Sequence, residues 1–106
     1  MKIGYVNKKI EKNCYQAKKT WGHLIGEKVL LRLADLAAFD SLAQVPHTPP
    51  YRCHLYKGKT IKFAVDLTKN YRLIFSPADP YEIKEGVGLV KESVKAIVIE
   101  NIEDYH

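Results

Sequence analysis

The sequence predicts an α+β domain in which two N-terminal helices pack against a mainly antiparallel β-sheet. Residues 7–42 carry apolar side chains at helical spacing, whereas residues 51–75 alternate between apolar and polar side chains, as strands do. Three prolines within residues 46–50 separate the two patterns. The segment 94–102 is apolar on both faces, so we expect the C-terminal strand to be central in the sheet.

The helical half is expected to follow a short strand over residues 2–6. Asn7 is suited to cap the first helix, and Trp21-Gly22 interrupts the helical pattern. The second helix is expected from about Leu24 to Leu42. Its apolar stripe consists of Ile25, Val29, Leu33, Leu36 and Ala37. Charged residues lie mostly outside this stripe: Glu27, Lys28, Arg32 and Asp35.

The second half is expected to form strands over 51–56, 61–66 and 71–75, joined by short turns. In the first of these strands, one face is assigned to the core, with Tyr51, Cys53 and Leu55. The other face then carries Arg52, His54 and Tyr56. Residues 76–92 contain two prolines and two glycines and are expected to form a long loop.

Size and composition predict a single cytoplasmic domain over residues 1–106. The chain has 46% hydrophobic and 27% charged residues, which is ordinary for a soluble globular protein. Its longest apolar runs cover about four residues, so neither a membrane span nor a secretory signal is expected. Cys14 and Cys53 have no metal-binding spacing, and no cofactor is expected.

The positive charge is concentrated in one segment. The whole chain carries a net charge of +5, and residues 51–75 alone hold six Lys or Arg residues against the single acid Asp66. Residues 79–106 have the opposite balance, with seven acids and three lysines. A concentrated basic stretch favours phosphate-rich partners, because each neutralised phosphate releases counterions.

Residues suited to metal-free RNA cleavage fall on the predicted sheet. Such cleavage needs a base for the ribose 2′-hydroxyl, an acid for the leaving 5′-oxygen, and cations for the charged phosphorane. Histidine, the residue type at position 54, suits the proton steps because its unperturbed pKa lies near neutrality. Arg72 can clamp two phosphate oxygens. The chain ends in 104–106, Asp-Tyr-His, directly after the last strand.

Three segments resemble one family of bacterial toxins. Residues 54–58 resemble the H-x-L-K-G segment of HigB-like toxins, and residues 68–75 are similar to their N-K-Q-W/Y-R-I-x-F strand. Residues 103–106 are similar to their V-D-Y-H terminus. The resemblance places the chain in the HigB branch of the RelE/ParE superfamily and implies a RelE-like fold with a curved sheet. It also implies ribosome-dependent cleavage of messenger RNA in the A site, and neutralisation by a helix-turn-helix antitoxin through which DNA is contacted only indirectly.

The resemblance also implies the site residues. The catalytic residues are expected to be His54, Arg72, Tyr105 and His106. The residues expected to contact RNA and phosphate are Lys57, Lys59 and Asp104. One of the two histidines serves as the base while the other supports the leaving group, and Tyr105 stacks on a base or orients the nucleotide. Asp104 orients a histidine, and Lys59 is placed by the hairpin turn rather than by a motif.

Two departures from the family pattern leave alternatives open. Asp66 stands where many relatives carry a basic residue, and it either lowers RNA affinity or pairs with a neighbouring lysine. The segment 77–92 is longer than in compact relatives. A ParE-like toxin that acts on DNA gyrase without nuclease activity shares the expected fold. So does a catalytically inactive module that only binds an antitoxin, and fold alone does not separate the three.

Overall fold

Two helices lie on one face of a five-stranded sheet in the computed structural model, which describes residues 1–56 and 58–104. In chain order the elements are β1 (Lys2–Tyr5), α1 (Lys8–Tyr15), α2 (Ala17–Ala38), β2 (His54–Tyr56), β3 (Lys62–Asp66), β4 (Tyr71–Pro77), β5 (Glu82–Lys84), β6 (Gly88–Val90) and β7 (Ala96–Asp104). The sheet order is β1-β7-β4-β3-β2. β1 pairs with β7 in parallel and the other pairings are antiparallel, so the predicted α+β class is confirmed with a partly mixed sheet.

The helix boundaries follow the local signals in the sequence. The Asn7 side chain accepts a hydrogen bond from the Ile10 backbone N–H at 2.8 Å, which confirms the predicted cap. Gly22 interrupts α2 with φ 85° and ψ 167°, a conformation that is accessible essentially only to glycine. α2 ends at Ala38, whereas the sequence predicted an end at about Leu42. No helix in the described part of the chain has the length and apolar character that crossing a membrane requires.

The core lies between the helices and one face of the sheet. Fully buried side chains of β3, β4 and β7 meet those of α2, among them Leu36, Phe75 and Ile99. Arg32 was expected to lie outside the buried stripe of the second helix. This expectation is wrong, because the residue is only 4% exposed. Its guanidinium donates from Nε to the Asp66 carbonyl at 2.9 Å and from Nη1 to the Asp35 carboxylate at 3.1 Å. A buried arginine is tolerated here because its charge and hydrogen-bonding capacity are matched.

The C-terminal strand is interior, but only one of its faces is in the core. β7 has β1 on one side and β4 on the other, while β4 occupies the middle position of the sheet. Ile97, Ile99 and Ile102 are buried, whereas Val98 and Glu100 are only half-buried. The expectation of burial on both faces is therefore wrong. No second layer of helices covers the other face in the described residues.

Two segments differ from the sequence-based expectation. The strand expected over 51–56 begins only at His54, because Arg52 has a φ of 44° in the left-handed region and cannot continue a strand. Leu55, expected in the core, is 66% exposed. The expected loop over 76–92 instead contains a two-stranded hairpin, β5–β6, with Gly86 and Gly88 at positive φ around its turn.

Gly26 allows the two halves of α2 to pack closely on either side of the Gly22 interruption. A Cβ atom added at Gly26 would lie 2.6 Å from the Ala17 carbonyl carbon and would also meet the Lys18 backbone. We expect Gly26→Ala to lower the free energy of unfolding by about 2–3 kcal/mol, because backbone must move to relieve the overlap. Gly58→Ala is the control, since nothing lies within 4 Å of the added carbon. Urea denaturation of both variants measures the difference, and equal stability of the two would contradict the close approach.

The two cysteine thiols make stability depend on pH in the alkaline range. Burial raises the pKa of both Cys14 and Cys53 from 9.0 to about 11. Each raised pKa contributes stability that is complete below the unfolded pKa and is lost as pH rises through the folded pKa. We therefore expect the free energy of unfolding to fall between about pH 9 and 11, by on the order of 2 kcal/mol for each thiol. Urea denaturation of the native chain and of Cys53→Ala at about pH 9 and 11 tests this prediction. If the free energy of unfolding fell equally in both proteins, the Cys53 thiol would make no contribution.

Candidate functional site

The sheet face that points away from the helices carries a continuous set of polar side chains, here called the polar face. The strand register shows which of these side chains are direct neighbours across the strands. Asp66 pairs with Arg72, and Arg72 pairs with Glu103 across β3, β4 and β7. The neighbouring row begins at His54, which pairs with Ala64. Directly paired residues of antiparallel strands share a face, so these side chains lie on the same side of the sheet.

Asp66 holds two arginines on the polar face. Arg52 donates from Nε to Asp66 Oδ2 at 2.6 Å and from Nη2 to Oδ1 at 3.2 Å. Arg72 donates from Nε to Oδ1 at 3.2 Å. The hydrogen bonds to Asp66 are the main cause that raises the pKa of Arg52 above its ordinary value. Asp66 was expected either to lower RNA affinity or to pair with a neighbouring lysine. Among the described residues its side chain pairs with these two arginines rather than with a lysine, and the lowered RNA affinity stays a prediction.

Tyr56 and Glu103 join opposite sides of the polar face. The Tyr56 hydroxyl lies 2.7 Å from Glu103 Oε1 and 2.8 Å from Oε2, and donates to this carboxylate. In a flat sheet the two residues would be separated by about 14 Å across three strand spacings and about 13 Å along the strands. Their side chains could not span that distance, so the sheet must be strongly curved with the polar face concave.

Two apolar residues also lie on the polar face. Ala64 and Ile74 are 0% and 2% exposed although the strand register places them on the side away from the helices. Both are outside the main core cluster. The polar face is therefore not uniformly open to solvent.

A third acidic residue enters the polar face at a β-bulge. Ile74 pairs with Asn101 and Phe75 with Ile99, so Glu100 is the extra residue of β7. Glu100 accepts a hydrogen bond from Ser76 at 2.9 Å and pairs with Lys62 at 3.4 Å. Among residues 1–56 and 58–104, the polar face therefore opposes three cations to three carboxylates. The cations are Arg52, Lys62 and Arg72, and the carboxylates are Asp66, Glu100 and Glu103.

The predicted site residues occupy different surroundings. Arg72 is half-buried in the middle of the polar face, and His54 is exposed at the start of β2 with its Nδ1 2.6 Å from the Arg52 carbonyl oxygen. Lys59 is exposed in the bend between β2 and β3. Asp104 is paired with Tyr71, so the alternation of side chains places it on the opposite face from Arg72. The other predicted residues, Lys57, Tyr105 and His106, lie outside the described residues.

A cavity of about 690 Å³ lies beside β2, between the sheet and the β5–β6 hairpin. Its lining is mainly apolar, and it includes the exposed side chains of Leu55 and Val87. His54 and Arg52 also line this cavity, which therefore borders the polar face. Its size falls in the range of about 300–1,000 Å³ that is typical of small-molecule pockets.

Most residues of the polar face were not among the predicted site residues, and these include Arg52, Tyr56 and Glu103. The alternation of apolar and polar residues in 51–56 predicts that Arg52 and Tyr56 share a face with His54, so the sequence contained a signal for these two residues. Glu103 gave no comparable signal. Its place depends on the pairing of β4 with β7, and about thirty residues separate these partners along the chain.

The chain has no match among protein-family models, curated proteins or solved structures. Within residues 1–56 and 58–104, no group of three or more His, Cys, Asp or Glu side chains is arranged to hold a metal ion. The chemistry that the site supports must therefore be argued from the polar face itself.

Replacing Asp66 by asparagine tests whether this carboxylate masks the arginines. Asp66→Asn removes the negative charge that Arg52 and Arg72 share. We therefore expect it to tighten binding of single-stranded RNA by about 3–10-fold at low salt. The slope of the logarithm of the binding constant against the logarithm of the salt concentration should become steeper by about one. Fluorescence anisotropy across a salt series measures both quantities.

The matched control for this charge change is Glu85→Gln, an exposed residue of the β5–β6 turn. An equal gain in both variants would assign the effect to net charge alone. No gain in Asp66→Asn would mean that the two arginines do not contact RNA.

Proposed function

We propose that this chain is the toxin of a type II toxin–antitoxin system and cleaves messenger RNA on the ribosome, without metal, through attack of the ribose 2′-hydroxyl. The observation that carries the proposal is the convergence of Arg52 and Arg72 on one carboxylate. Carboxylate and phosphate groups present similar pairs of oxygen atoms, and arginine binds both in the same bidentate manner. A clamp that holds Asp66 is therefore suited to hold the scissile phosphate.

The position of His54 supports a role in proton transfer. A backbone carbonyl only accepts hydrogen bonds, so the contact of Nδ1 with the Arg52 carbonyl assigns a proton to Nδ1. Nε2 is then the nitrogen that exchanges protons with a ligand. His54 also borders the cavity beside β2, which has room for a nucleotide next to the scissile phosphate.

The remaining roles rest on the family resemblance. Lys57 and Lys59 bind phosphate, Tyr105 stacks on or orients the nucleotide, and His106 is the second histidine of the site. Asp104 orients a histidine. The fold is then of the RelE type and the protein acts in the cytoplasm. Its partners are the ribosome, messenger RNA and a helix-turn-helix antitoxin through which DNA is reached.

The balanced charge of the polar face supports dependence on the ribosome. In the described part of the chain, three carboxylates offset its three cations, so these residues attract free RNA less than the sequence segment 51–75 suggests. A site of low intrinsic affinity can still act when a larger assembly presents the substrate to it, because the second binding event is then intramolecular. The ribosome would supply that presentation.

A second candidate function is favoured by the same Asp66 contacts. If Asp66 retains Arg72 in the presence of RNA, the chain is a catalytically inactive module that binds an antitoxin. Arg72 is half-buried and its Nε is engaged by Asp66, which is the arrangement that a purely structural arginine would have.

The proposal is tested by mapping messenger RNA ends after incubation with programmed ribosomes. We expect discrete A-site cuts by the native chain. The cleavage rate should fall by about 100-fold or more in His54→Ala and Arg72→Ala, because each removes a group used in proton transfer or in charge stabilisation. His23→Ala is the control, since His23 is an exposed histidine of α2 that pairs with Glu27.

Intact messenger RNA with the well-folded native chain would contradict the nuclease proposal. Growth arrest that survives both substitutions and is accompanied by inhibited DNA gyrase would identify the ParE-like alternative. Antitoxin binding without growth arrest would identify the inactive module.

A further inference from the structure

We infer that Glu103 is the general base of the proposed cleavage reaction, an inference that rests on the proposed function. The sequence predicts that one of the histidines is the base. The fold instead brings a carboxylate from β7 next to the predicted phosphate-binding arginine, because Glu103 is the direct cross-strand partner of Arg72. Directly paired side chains have Cβ atoms about 4.5–5.5 Å apart. A phosphate on Arg72 would therefore bring its ribose 2′-hydroxyl close to Glu103.

The partner of Glu103 distinguishes it from the other carboxylates of the polar face. Asp66 is neutralised by two arginines, and Glu100 is paired with Lys62. Glu103, in contrast, receives a neutral phenol and forms no ion pair with another described residue. Of the three carboxylates, Glu103 is therefore the one that no described cation engages in an ion pair.

Tyr56 fixes the position of this carboxylate. Its hydroxyl lies within 2.8 Å of both Glu103 oxygens, so it can remain hydrogen-bonded to one oxygen while the other accepts a proton. Glu103 is half-buried. We therefore assign Tyr56 a positioning role.

The reaction step is balanced with residues on the polar face. Glu103 takes the proton of the 2′-hydroxyl, and the 2′-oxygen forms a bond to phosphorus. The bond between phosphorus and the 5′-oxygen breaks, and its electron pair stays on that oxygen, which accepts a proton from the His54 imidazolium. The products are a 2′,3′-cyclic phosphate and a 5′-hydroxyl. Arg72 and Arg52 stabilise the charge of the phosphorane.

The decisive variant is Glu103→Gln, which keeps the side-chain shape and an oxygen that can accept from Tyr56. Single-turnover cleavage on programmed ribosomes should be at least about 100-fold slower, which is the contribution of a general base. Thermal stability and ribosome affinity should match those of the native chain. The residual rate should rise about tenfold per pH unit, because hydroxide then replaces the missing base.

Glu85→Gln is the matched control, since it removes the same charge from the exposed β5–β6 turn, outside the polar face. Glu103→Asp retains a carboxylate and should keep more activity than Glu103→Gln, even if both variants lose some stability. Tyr56→Phe should slow cleavage by about 10-fold at saturating ribosomes, with the pH dependence of the native chain retained, because the base is present but less well held.

The outcomes separate this inference from the proposed function. If the native chain does not cleave messenger RNA, the proposed function fails and the role of Glu103 fails with it. If the native chain cleaves and Glu103→Gln cleaves at the rate of Glu85→Gln, only the inference is overturned. Equal losses in Glu103→Gln and Glu103→Asp that appear only as weaker ribosome binding would also overturn it.

Discussion

Asp66 connects the helical layer, the polar face and the loop that leads into β2. Its carbonyl accepts from the buried Arg32 of α2, its backbone N–H donates to Tyr51, and its carboxylate binds Arg52 and Arg72. These contacts use all three polar groups of one residue at the end of β3. The Arg52 backbone is in the left-handed region, which costs a non-glycine residue about 1–2 kcal/mol. Its ion pair with Asp66 offsets that cost and holds the start of β2 in place.

The same carboxylate links stability to function. A residue that neutralises two arginines stabilises the folded chain, yet it occupies the groups that a phosphate would need. The arrangement resembles a site that holds a substitute for its ligand. Binding of RNA would then exchange one anion for another, so the net gain would be the difference between two similar interactions rather than the full strength of an arginine–phosphate pair.

The sequence predicted local features better than long-range ones. The Asn7 cap and the break at Gly22 depend on neighbouring residues, and the structure has both of them. Arg32 was misplaced because a helical pattern does not show that an arginine can be satisfied inside the core. The alternation also put His54 and Arg72 on polar positions, but only the register of β7 reveals that Glu103 faces Arg72 while Asp104 faces the other way.

Curvature is the property that turns these separate positions into one site. The bulge at Glu100 and the strong bend across the sheet bring β2 and β7 near enough for Tyr56 to reach Glu103. In a flatter sheet, the same residues would form three unconnected polar rows with the arginines and the carboxylate open to water. The concave sheet instead brings the Glu103 carboxylate and the two arginines onto one face that His54 borders. The chemistry proposed for this chain therefore depends as much on the shape of the sheet as on the residues that it carries.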